Sequence, residues 1–445
     1  MFGRKIAMLL MVGLLFVLLC AGCSVRSPEE LYSLPKHSDE YYDLQKAIDS
    51  VMQQDSVYAG PLSGSNQQAV QLSDLDGDGV DEALLFVRAA GVKPLKIFIF
   101  DRQDEVYENV GVIEGDGSGF DAVEYAELDG DGGVEIVVGR QLSDQILQSI
   151  SAYSYHDGSL VELMSATYSE FAITDLDGDD RKDIFLVRTD AEARNGVAEL
   201  YRFRNGIMAR EQEAVLSAGA GQVKRIVSGF AAQGVPAVFV ASSYEADTII
   251  TDIFAFTGNQ FSNVALMGDS GLNAQTVRNY HVYATDIDED GIIELPMPVV
   301  LPSSLAGEET FWVIDWYTLT TNGERNVKLS TYHNYAAGWY VILPQMWRDR
   351  LTVSRQHTVS GVTGHVFSKW NGYDHAPQEI FTIFAFTGEN RLKLAQSENR
   401  FLLAEKGDTA YSAKVGDCDW AKRLTNEELS AMFHFIYQDW NTGER

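Results

Sequence analysis

The stretch "SDLDGDGVDEALLFV", residues 73–87, sets aspartates at alternate positions, then a glycine, then an apolar run. Three more stretches share its spacing: "ELDGDGGVE" (127–135), "DLDGDDRKD" (175–183) and "DIDEDGIIE" (286–294). Numbered from Asp74, Glu127, Asp175 and Asp286, all four loops carry a carboxylate at positions 1, 3, 5 and 9. Position 6 is glycine in three and Asp180 in the other, residue types that tolerate the left-handed backbone of a tight turn. Side chains converging around such a turn offer oxygens to a hard cation. Ca²⁺ takes six to eight oxygens at roughly 2.3–2.6 Å. Without a cation, acids this close repel one another.

The flanks decide the fold. Before the loops stand "AVQLS", "AVEYA", "EFAIT" and "HVYAT"; after them stand "ALLFV", "IVVGR", "IFLVR" and "LPMPV". These read as strands. An EF-hand needs helices on both sides and a glutamate at position 12. Here position 12 is Leu85, Val138, Leu186 and Met297, so every copy fails that test, and the flanks also exclude a dockerin-type helix pair.

The loops start 53, 48 and 111 residues apart. The last step is about double, which points to a hidden repeat. "SGFAAQGVPAVFVA" (228–241) fits the same spacing, with Gly229 at position 1 and Gln233-Gly234-Val235 where Asp78-Gly79-Val80 stands in the first loop. Its acids are gone. Between the loops, "HDG", "RNG" and "TGN" join apolar runs and signal hairpins. Short strands repeating at this period suit a β-propeller blade; a β-sandwich or a string of small β-domains is the competing geometry.

The fold class expected is therefore mainly β, a β-propeller-like repeat domain of about 5–7 blades with a short N-terminal helix and a C-terminal α+β domain. Ser38 caps the N-terminal helix, with Asp39 and Glu40 in its first turn and Tyr41, Leu44, Ile48 and Val51 on one docking face. The C-terminal domain is expected from residue 338. Its strands lie in "WYVILPQMWRDRLTVSR", "HVFSKW", "EIFTIFAFTG" and "RFLLAEKGDTAYSAKV". A closing helix is capped by Thr425 and Glu428, with Leu429, Met432, Phe433, Ile436 and Trp440 as its stripe. Alternatively these strands supply the last blades.

A strand–DxDxDGxxE–strand unit of this period resembles the FG-GAP or VCBS-type repeat, the calcium-bearing blade of integrin alpha-subunit propellers. The resemblance spans residues 57–337 and implies four Ca²⁺ sites. The first takes Asp74, Asp76, Asp78, Glu82 and the carbonyl of Val80. The second takes Glu127, Asp129, Asp131, Glu135 and the carbonyl of Gly133. The third takes Asp175, Asp177, Asp179, Asp183 and the carbonyl of Arg181. The fourth takes Asp286, Asp288, Asp290, Glu294 and the carbonyl of Ile292. The third departs from the pattern at position 6 and has Arg181 and Lys182 close by. The expected role of the ions is structural.

Residues 1–22 read as a signal peptide: a basic start, then an apolar run of fourteen residues, too short for a comfortable span. The run ends in "LCAGCS". This resembles a bacterial lipobox, with Ala21 and Gly22 before Cys23 and Cys20 where leucine is usual. It implies cleavage before Cys23, lipid on that cysteine, and an extracytoplasmic protein anchored to the bacterial cell membrane. Residues 23–56 then form a tether and helix. Only Cys418 would remain of three cysteines, so no intrachain disulfide could form; a structural thiol is the expected role.

A formal charge of −30, from 64 acidic and 34 basic residues, argues against a nucleic-acid partner. The "GDSG" at 268–271 lacks the histidine pattern of a protease, and "EGDGSG" at 114–119 reads as a turn rather than a phosphate loop. The histidines, His281 and His333 among them, show no zinc spacing. Trp312, Trp316, Trp339, Trp347 and Trp370 read as core. These features imply a surface binding or scaffold module for an extracellular protein, peptide or glycan. The alternative is an extracytoplasmic enzyme acting on a polysaccharide or other polymer.

Overall fold

The computed structural model describes residues 39–436 apart from 104–105, 143–147, 157, 190–194, 267–272, 303–308, 321–322 and 358–361. The proposed signal peptide, Cys23, Ser38, "GDSG" and Trp440 lie outside the described residues. So does the side chain of Tyr41.

The described chain is mostly β, with six antiparallel sheets of four or five strands. The second, third and fourth sheets are meanders in strict chain order, spanning residues 119–168, 170–215 and 223–263. The first uses strands between residues 57 and 115. The expected hairpins form where His156 pairs with Ser159, at Asn205–Gly206 and at Gly258–Asn259.

Stacking explains the apolar runs after the loops. In Glu82–Arg88, every residue but the last is buried because both faces are covered. Leu84 and Phe86 meet Phe120, Val123, Ile136 and Val138 of the second sheet. Ala83, Leu85 and Val87 meet Leu44 and Ile48 of helix α1, Asp39–Val51. The same pattern carries the core from sheet two to three, three to four, and four to five. The acid-free repeat is part of it: Val223–Ala232 and Val235–Tyr244 pair around the turn Gln233–Gly234.

The last two sheets are interleaved. The fifth holds Leu295–Val300, Trp312–Leu319, Arg325–Asn334 and Trp339–Leu343. Asn334 pairs with Trp339, so the expected boundary between residues 337 and 338 falls at a hairpin inside this sheet. Its last strand is Phe433–Phe435, returning from the chain's end to pair with Trp339–Val341. The expected closing helix is correspondingly short. Helix α3, Asn426–Met432, has the Thr425–Glu428 capping box, but the open edge of Trp339–Leu343 takes the next residues as a strand. Sheets five and six share the core of Tyr332, Trp339, Val341, Phe367, Phe381 and Leu429. On the sixth sheet, Phe384, Phe386 and Ala410 pack with Ala395 of helix α2, Arg391–Ala395. Thus the first and sixth sheets each carry a helix against one face.

"HVYAT" (281–285) is not a strand. It makes one bridge, Thr285 to Glu294. Val282 and Ala284 point into different cores, and Arg278 just upstream bridges Ile249 of the fourth sheet, so the segment is a crossing between sheets. Trp316, Trp339 and Trp347 are buried, whereas Trp312 and Trp370 are half-buried. Cys418 is a buried free thiol.

Candidate metal loops

Each acidic loop joins the first strand of its sheet, or its equivalent, to the next. Two left-handed residues set the turn, at positions 4 and 6. They are Gly77 and Gly79, Gly130 and Gly132, Gly178 and Asp180, and Glu289 and Gly291, all with φ between 60° and 98°. The turn folds backbone amides onto the carboxylates. The position-1 acids accept from amides further along: Asp74 from Gly77 and Gly79, Glu127 from Gly130, Asp175 from Gly178 and Asp180, Asp286 from Asp290 and Gly291. The amides of Val80, Gly133, Arg181 and Ile292 donate to the position-5 aspartates.

The ninth acid is the floor of each loop. Glu82, Glu135, Asp183 and Glu294 are all buried, and each accepts the position-2 amide: Leu75 at 2.7 Å, Leu128 at 2.6 Å, Leu176 at 3.0 Å and Ile287 at 3.2 Å. Burial pushes all four carboxyls up to about 7, because the charged form loses its hydration. The position-2 side chains are buried too. An apolar residue there in every loop was a readable signal: it pins the turn to the core while its amide holds the ninth acid.

Three carboxylates in each loop bring oxygens within 4.8 Å of one another. They are Asp74, Asp76 and Asp78; Glu127, Asp129 and Glu135; Asp175, Asp177 and Asp183; and Asp286, Asp288 and Asp290. The remaining expected acids, Glu82, Asp131, Asp179 and Glu294, belong to the same turns through the bonds above. The second oxygen of Glu82 is buried with no hydrogen-bond partner, a costly state for a carboxylate. This donor set, all oxygen and mostly anionic, fits Ca²⁺ rather than a soft metal.

The neighbouring strand contributes a residue that the loop sequences do not contain. Ala83 pairs with Phe100, which sets Asp101 beside Glu82. Ile136 pairs with Tyr153, setting Ser154 beside Glu135, and the Ser154 hydroxyl bonds Asp129. Ile184 pairs with Tyr201, setting Arg202 beside Asp183. Arg202 contacts Asp177 through Nη2 and lies 3.5 Å from Asp183 and 2.8 Å from Glu211. At loop 286–294 the cation comes from a bulge. Trp316 and Tyr317 pair with Leu329 and Val327, leaving Lys328 out of the ladder. Its Nζ contacts Asp290 and lies 3.1 Å from Glu294 and 4.0 Å from Asp288.

The loops also touch one another. The position-8 amide of one reaches a carbonyl at position 1 or 2 of the repeat before it: Val134 to Leu75, Lys182 to Glu127, and Ile293 to Phe230. A Cβ on Gly133 would sit 2.2 Å from the Leu75 carbonyl, so that glycine is required by close approach. In the acid-free repeat position 8 is Pro236, which has no amide to give. A cavity of about 570 Å³ lies there, lined by Asp177, Arg202, Gln212, Pro236 and Phe256 among others.

No protein family matches the sequence, and no curated protein matches it. Among solved structures the chain is similar to Sqt1 from Saccharomyces cerevisiae, with 9% identity, a TM-score of 0.31, and coverage of 82% of this chain and 96% of that one. Sqt1 from Chaetomium thermophilum gives 12% identity, a TM-score of 0.29, and coverage of 84% and 98%.

Proposed function

We infer that this protein is a lipid-anchored, extracytoplasmic module of stacked, propeller-like β-sheets. It is stabilised by Ca²⁺ and serves as a binding or scaffold surface for an extracellular protein, peptide or glycan. The observation that carries the reading is the recurrence of one carboxylate turn at equivalent places in four sheets, each with its ninth acid buried. The FG-GAP or VCBS-type spacing and the lipobox-like "LCAGCS" support it. The residues that would hold the ion are the carboxylates at positions 1, 3, 5 and 9, with the position-7 carbonyl. Bound Ca²⁺ would neutralise the buried acid, and binding to the folded state alone stabilises that state by mass action.

The test has three arms on the full chain purified in detergent. Calcium is expected to raise the unfolding midpoint over that in EDTA; equal midpoints overturn the calcium reading. In cells, labelled palmitate is expected on the wild type and not on Cys23→Ala; label on neither overturns the anchor. Surface cross-linking followed by capture, with and without Ca²⁺, is expected to recover a reproducible protein or glycan partner. Recovery of none in either condition argues against the binding module.

A further inference from the structure

We propose that only the first two acidic loops, 74–82 and 127–135, bind a divalent cation, and that loops 175–183 and 286–294 are closed by the protein's own cations, Arg202 and Lys328. Asp101 is then an additional carboxylate of the first site. The inference rests on the calcium reading above and divides it.

Asp101, Ser154 and Arg202 occupy one structural position in three successive sheets, each directly after an aromatic residue that pairs with the residue following the ninth acid. The position is anionic in the first sheet, neutral in the second and cationic in the third. In the third loop the guanidinium bridges acids at positions 3 and 9, where an ion would have to sit. In loop 286–294 the ammonium of Lys328 meets positions 3, 5 and 9. A divalent ion entering either loop must displace a side chain already making charge-assisted contacts, one of them to the buried ninth acid. The first loop is the opposite. Among the described residues no Arg or Lys pairs with Asp74, Asp76, Asp78 or Glu82, and Asp101 adds a further carboxylate alongside. The second loop offers Ser154 as a neutral neighbour and makes no side-chain ion pair with Arg or Lys among the described residues; its exposed contact is His156, 3.5 Å from Asp131.

The test is equilibrium dialysis of the full chain in detergent against radioactive calcium, with circular dichroism to confirm folding. The wild type is expected to bind two ions per chain. Arg202→Gln and Lys328→Gln are each expected to bind a third, and the double variant four. Asp101→Asn is expected to weaken one site roughly tenfold. Asp101→Arg, which copies the third sheet's residue into the first, is expected to reduce the count to one. Four ions on the wild type overturn the proposal, as do two ions on folded Arg202→Gln, Lys328→Gln and Asp101→Arg. No calcium on the wild type or any variant overturns the underlying calcium reading instead.

Discussion

The first and third loops share a backbone and differ in electrostatics. Both turn through left-handed residues at positions 4 and 6, both pin a leucine at position 2, and both hold that leucine's amide with a buried ninth acid. Yet the first faces Asp101, and that charge raises the carboxyls of Asp76 and Glu82 further. The third faces Arg202. The turn is therefore set by local geometry, while its charge balance comes from a strand nearly twenty residues downstream.

The largest expected effect tests whether this contrast involves metal. With calcium about 1,000-fold above its dissociation constant, each filled loop adds about 4 kcal/mol, so two filled loops add about 8. Urea unfolding in calcium and in EDTA measures this, and identical curves would leave both loops as polar turns. Next is a difference of sign. In EDTA, Arg202→Ala is expected to destabilise by about 3 kcal/mol, because it leaves the buried Asp183 beside Asp177 without its cation. Asp101→Ala is expected to stabilise by about 1 kcal/mol, because it removes a repelling charge. The same sign for both would erase the contrast. Third, Leu75→Ala and Leu176→Ala are each expected to cost about 3 kcal/mol. Unequal costs in EDTA would show that the two turns are not anchored alike.

The smallest effect lies outside the loops and serves as their control. His365 is buried against Tyr332 and Asn334 in the core of the last two sheets, and burial, with Arg355 nearby, lowers it to about 4. The folded value is below the ordinary 6.5, so the neutral ring's contribution is complete above pH 6.5 and is lost as pH falls toward 4. The slope is about 1.4 kcal/mol per pH unit. His365→Gln is expected to remove this share of the slope, by the same amount in calcium and in EDTA. A wild-type to variant difference that moves with calcium would tie His365 to the loops.

Much of the repeat was legible because its signals are local. The 1-3-5-9 carboxylates, the strands on either side and the spacing that exposed the Gly229 copy all sit within one turn and its flanks. What escaped depends on distant pairing. Arg202 joins a loop only through the Ile184–Tyr201 register, and Lys328 only through a bulge. The stripe Leu429, Met432 and Phe433 has helical spacing, but a neighbouring edge converts Phe433 to strand. "HVYAT" alternates like a strand, yet two cores pull its side chains apart.

Pro236 has one more consequence. Amide-to-carbonyl bonds link the turns of sheets one to three, and link sheet four to sheet five, but at the junction between sheets three and four the donor is missing. A tensile load along the row of turns would meet its weakest backbone seam there. Side-chain bonds from Gln212, Ser217 and Asn263 span the same junction, so side chains hold it where its neighbours add a backbone tie.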